Sequence, residues 1–157
     1  MSSRSIIGFA VLAAVMGCSG GSSTGGLTAE RTFTVALTPA EEVPAPKPTS
    51  ATGLAQVILY ASRIDFQLSA QNITGITMAH IHEGATGVAG PIRATLFMPG
   101  SATGSVNGSF SSGRLEDGNL PGGVTVQSLK ALVLSGNTYV DVHTTANPAG
   151  EIRGQLR

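Results

Sequence analysis

The sequence contains no Trp and a single Cys in 157 residues. One thiol cannot build an internal disulfide framework or a Cys-rich zinc site. Charge is equally sparse. Asp, Glu, Lys and Arg make up 11% of the chain, against about 25% in an ordinary soluble domain. Basic and acidic residues number 9 each, for a formal net charge of zero. That balance argues against a broad basic surface for nucleic acid and a polybasic patch for membranes. What the chain does have is apolar content and glycine. Hydrophobic residues reach 41% and are regularly spaced, so disorder throughout is not expected. The 21 glycines are about twice the usual share.

The longest apolar run, from Ile6 to Val15, follows a lone charge at Arg4. It is shorter than the about 20 residues a spanning helix needs, and it fits the core of a secretory signal. The run leads into Val15-Met16-Gly17-Cys18, which resembles a bacterial lipobox. The resemblance implies a removable signal over residues 1–17 and an acylated Cys18 that anchors the protein to a membrane. The alternative is an ordinary signal peptide with an incidental Cys. Ser19 after the Cys, by resemblance to Gram-negative lipoproteins, implies an extracytoplasmic site at the outer membrane. Residues 18–31 read as a Gly/Ser-rich tether with little capacity to pack. A Gly-x-Ser-x-Gly match around Ser23 lies inside this tether. It lacks the strand and helix that a hydrolase nucleophile requires.

From residue 32 to 157 the pattern is that of β-structure. Ile64, Phe66 and Leu68 alternate with Arg63, Asp65 and Gln67, a period of two. Similar stretches are Thr32–Leu37, Leu54–Tyr60, Ile76–His82, Ile92–Met98, Val106–Ser111, Thr138–Thr144 and Ile152–Leu156. Gly, Pro, Asn and Asp punctuate the gaps. The expectation is an all-β domain, an antiparallel β-sandwich or Greek-key barrel of about seven or eight strands. One short helix is expected around Val126, Leu129, Leu132 and Val133, stopping before Gly136.

All 3 histidines fall in two strand segments, Ala79-His80-Ile81-His82 and Val140-Asp141-Val142-His143. Residues two apart on a strand point to one face, roughly 7 Å apart along it. His80 and His82 therefore share a face, as do Tyr139, Asp141 and His143. Three imidazoles from adjacent strands can meet around one transition-metal ion, copper or zinc, with Asp141 as a fourth ligand or as a partner fixing a ring tautomer. The competing reading is a structural or adhesive cell-envelope protein with no metal: Ile76 and Met78 are expected on the face of His80 and His82, so that face could be the core and the rings neutral and hydrogen-bonded. Metal-dependent redox or hydrolytic catalysis ranks below both.

Gly84, Gly87 and Gly90 precede a strand rather than a helix, so they read as a tight turn with positive φ angles and not as a phosphate loop. Glu116-Asp117-Gly118-Asn119 reads as a solvated turn. Glu151 and Arg153 share a face and are expected in a structural ion pair. Glu42, Tyr139, Glu151 and Arg153 are taken as the residues supporting the histidine cluster.

Five motifs occur in order: Glu42-Val43-Pro44, Ala79-His80-Ile81-His82-x-Gly84, Gly90-Pro91-Ile92, Tyr139-Val140-Asp141-Val142-His143-Thr144, and Asn147-Pro148-x-Gly150-Glu151-Ile152-Arg153-Gly154-Gln155-Leu156. Together they resemble the chordin-domain (CHRD) family over residues 32–157. That family is known from the extracellular protein chordin, which binds secreted growth factors, and from single domains in bacterial secreted proteins. The resemblance implies a secreted β-domain and a protein partner it does not name; it supplies no catalytic mechanism. Asp141 stands where Asn is common in the family, which favours a cation. The His-x-His strand also resembles copper–zinc superoxide dismutase, but that enzyme's dinuclear site needs more histidines than this chain contains.

Overall fold

The computed structural model describes residues 28–157. The expected signal over residues 1–17, Cys18 and the tether up to residue 27 lie outside the described residues. Eight strands are present: β1 (Arg31–Leu37), β2 (Thr52–Leu59), β3 (Ile64–Thr74), β4 (Ile76–Glu83), β5 (Ile92–Phe97), β6 (Ser105–Leu115), β7 (Thr138–Thr144) and β8 (Ile152–Gln155). They form two four-stranded sheets, in the orders β1-β2-β3-β6 and β5-β4-β7-β8. All the pairings are antiparallel, so the fold is a β-sandwich.

The inner faces follow the alternation. Ile64, Phe66 and Leu68 join Val57, Leu59, Ala79, Ile81, Val140 and Val142 in one buried apolar cluster. β3 runs on to Thr74, further than its alternating stretch. Irregular pairing with β6 and a positive φ of 55° at Asn72 break the period of two. Ala70 and Ile73 consequently both stay in the core, although they stand three positions apart, an odd offset. The helix, α1 (Val126–Leu134), is capped at its start by Thr125 and ends before Gly136, whose φ is 73°. It buries Val126, Leu129 and Val133. Its Lys130 reaches Glu30 at 2.8 Å and the Tyr60 carbonyl at 2.8 Å. Among the described residues no helix is long and apolar enough to cross a membrane.

Two features position the outer face of the second sheet. First, the pairing of β4 with β7 slips between Ile76 and Met78. Ile76 therefore turns into the core, while Met78 remains opposite His143. This corrects the expectation that Ile76 shares the histidine face. Second, the chain leaving β1 crosses to the other sheet. Thr38 and Arg153 exchange backbone hydrogen bonds of 2.9 and 3.1 Å. The connection from residue 38 to 51, a strap, is then pinned to β8 and its neighbours. Gln155 N donates to Glu41 Oε2, Lys47 N to Asn147 Oδ1, and Thr49 Oγ1 to Glu151 Oε1. Every residue of β7 and β8 is buried, so both faces of these strands are covered.

The crossing requires a residue without a side chain. A Cβ on Gly154 would lie 2.3 Å from the Ala36 carbonyl oxygen and 2.9 Å from a Leu37 methyl. Gly154→Ala is expected to cost about 1–3 kcal/mol through the backbone shift it forces. Gly118→Ala, where a Cβ would meet nothing within 4 Å, should change stability by less than about 0.5 kcal/mol. Denaturant titration of the two variants checks the contrast; equal effects would contradict it.

Candidate metal centre

The histidines lie on the face of the second sheet that points away from the apolar core. Strand register sets their neighbours. His80 stands opposite Asp141, which stands opposite Arg153; His82, Tyr139 and Gln155 form the next rank. Directly opposed residues project to the same side of a sheet, so β4 and β7 bring all the histidines and Asp141 together. His80, His82, Asp141 and His143 each place one ligand atom within 4.8 Å of the others, and all four residues are buried.

The rings are oriented by backbone carbonyls. His82 Nδ1 lies 2.8 Å from the Gly90 oxygen and His143 Nδ1 lies 3.0 Å from the Pro148 oxygen. A carbonyl can only accept, so each Nδ1 carries its proton and each Nε2 is left as the potential ligand. Those Nε2 atoms lie 3.3 and 3.2 Å from Asp141 Oδ1. None of His80 Nδ1, His82 Nε2, His143 Nε2 and Asp141 Oδ1 has a well-aligned hydrogen bond, and all four are buried. An unsatisfied buried polar atom costs about 1–3 kcal/mol. Here the donor atoms of three imidazoles and a carboxylate converge.

Without a cation, a proton takes its place. Burial alone would lower the His143 pKa, but hydrogen bonding to Asp141 and the charge of that carboxylate outweigh it and raise the value above its usual range. Burial pushes Asp141 up, but His143 and His82 pull it further down, so it is held ionised. His80 behaves oppositely: burial first, then the positive charge of His143, lowers it to about 4. It is therefore neutral at pH 7, with a lone pair free for an ion.

Supporting residues hold this arrangement in place. The Tyr139 ring stacks on His82 at 5.0 Å, and the Arg153 guanidinium carbon lies 3.4 Å from the Tyr139 ring centre. Burial raises the Tyr139 pKa; its hydroxyl accepts from Gly90 N at 3.1 Å. Arg153 Nη2 donates to the Ala85 and Val88 carbonyls, and Gln155 Nε2 donates to the Gly84 carbonyl. These bonds clamp the loop over residues 84–91, whose Gly90 carbonyl orients His82. Of its three glycines only Gly87 has a positive φ, 77°. Gly84 and Gly90 are needed for close approach instead: a Cβ on Gly90 would lie 1.7 Å from the Glu83 carbonyl oxygen.

Glu42, on the strap, is buried. Burial, and then the charge of Asp141, pushes its pKa up to about 7. Glu151 departs from its expected place. It accepts from Thr49 and Thr144 hydroxyls and fastens the strap to β7, and these bonds together with Asn147 hold its pKa below the usual range although burial opposes this. Among the described residues neither Glu151 nor Arg153 enters an ion pair, in contrast to the pairing expected from their shared face. Hydroxyls satisfy Glu151, and carbonyls accept from Arg153 Nη2, while Arg153 Nη1 is buried without a partner. The stretch Glu116–Asn119 forms a capped 3-10 turn whose Asp117 accepts from Val126 N at 2.6 Å, so it serves the start of α1.

The model of a known family, the CHRD domain, matches residues 33–156. No curated protein and no solved structure matches the chain.

Ring-nitrogen NMR of the metal-free protein tests the proton arrangement. His80 should stay neutral down to about pH 4, and His143 should keep its extra proton above pH 6.5. The neutral rings of His82 and His143 should carry hydrogen at Nδ1. Reversal of the His80 and His143 order would overturn the arrangement.

Proposed function

The chain belongs to the CHRD-domain family, and we propose that it is a metal-binding member, exported and held at the cell envelope by lipid on Cys18. The observation that carries the metal reading is that His80, His82, Asp141 and His143 each place a ligand atom within 4.8 Å of the others and each carries a buried polar atom without an aligned hydrogen bond. One divalent ion satisfies all of them. The histidines also face away from the apolar core, which favours an ion over a purely core-filling role.

Three imidazoles and one carboxylate, with no thiolate, suit zinc and copper among the first-row metals. Zinc is the better fit, because its d-electrons impose no geometry and sites that only hold it keep no position open to solvent. Burial of all four ligands matches the closed kind. The protein then holds an ion rather than turning over a substrate, and the ion ties β4 to β7. The apolar run before Cys18 and the Gly/Ser tether after it support an extracytoplasmic domain standing off an outer membrane.

Protein made without a polyhistidine tag should bind about one equivalent of zinc or copper at neutral pH. His80→Ala and His143→Ala should each abolish that binding. Loading should stabilise the fold by about 2.7 kcal/mol when free ion exceeds Kd a hundredfold. Affinity should fall as pH drops, because the ion must displace the proton that His143 holds. Absence of binding by calorimetry would overturn the reading. For the anchor, Cys18→Ser should move the protein from the membrane fraction to the soluble one; unchanged membrane association would contradict lipidation there.

A further inference from the structure

Resting on that metal reading, we infer that Glu42 is a further ligand of the same ion, delivered by the strap, and that it governs how long the ion is retained. Glu42 is only 5% exposed. Its Oε1 accepts from the Val43 amide at 3.0 Å, while Oε2 is buried with no hydrogen-bond partner. Burying a carboxylate is costly unless a charge or a full set of donors accompanies it. Among the described residues no ion pair involves Glu42. Arg153 is the one cation among the charges it feels apart from His143; its Nη2 is committed to the loop carbonyls, and its Nη1, buried without a partner, forms no ion pair with Glu42.

The packing around this carboxylate is built for it. A Cβ on Gly150 would lie 2.4 Å from the Glu42 carboxyl carbon and 2.5 Å from Oε2. The chain omits a side chain at Gly150, and the carboxylate uses the space. Anchors on both sides hold the strap down, at Glu41 to Gln155 N and at Thr49 to Glu151. Glu42 is therefore fixed within electrostatic reach of Asp141 and His143, though outside the four residues whose ligand atoms already lie within 4.8 Å of one another. Without a cation the Glu42 and Asp141 carboxylates repel each other; with one, the free Oε2 becomes a donor from the strap side. The ion is then held between the sheet below and the strap above, and it leaves only when the strap lifts.

Glu42→Gln keeps the volume and the acceptor for Val43 N but removes the charge. Zinc-loaded wild type and Glu42→Gln are mixed with excess chelator, and release is followed in time. The variant should still take up zinc but release it at least about tenfold faster. Cobalt(II) provides a readout that a merely structural role would not move: its visible bands should intensify in Glu42→Gln as one ligand is lost. Equal release rates and identical cobalt spectra would overturn the role of Glu42 while leaving the metal centre intact. Failure of the wild type to bind zinc or cobalt at all would instead remove the centre itself, and this inference with it.

Discussion

Asp141 is an ionised carboxylate with almost no access to water, and the imidazoles around it make that burial tolerable. Much of the second sheet's outer face follows from this constraint. A buried charge must be shielded, so the strap crosses from β1 and the loop over residues 84–91 folds down. The shield must not compete for the imidazole nitrogens, so it offers carbonyls to the far side of two rings. The cover must also come close, and Gly90, Gly150 and Gly154 have no side chain where a Cβ would strike the Glu83 carbonyl, the Glu42 carboxylate and the Ala36 carbonyl.

Low overall charge takes on a particular meaning in this setting. Much of the ionisable chemistry is concentrated where solvent is absent. Arg153 is buried, yet it forms no ion pair among the described residues. Its Nη2 is held by carbonyls and an amide oxygen and its plane lies over the Tyr139 face, while Nη1 has no partner. Glu151 is satisfied by hydroxyls. Neutral partners leave the Asp141 charge to the imidazoles, above all to the proton held on His143.

The strands and the helix were legible because alternation and the Thr125–Gly136 boundaries are local properties. The convergence of His80, His82, Asp141 and His143 was legible for a similar reason, since residues two apart on a strand share a face. Two things were not. The slip at Ile76 depends on how β4 meets β7, which no single segment encodes. The carbonyls of Gly90 and Pro148 act through the backbone, so their residue types do not announce them. Glu42 was named as a supporting residue, but its route was not legible: the chain changes sheets at Thr38, and nothing in the strap's own composition signals that.

The slip between Ile76 and Met78 divides one strand between two masters. Before it, Ile76 belongs to the apolar interior; after it, residues of the same parity, His80 and His82, belong to the polar cluster, and Ala79 and Ile81 take over the interior. Ile76 is thereby uncoupled from the histidines. Selection could repack the interior near Ile76 without turning His80 and His82 away from their partners. A single displaced residue gives this strand a modularity that a perfectly regular ladder would lack.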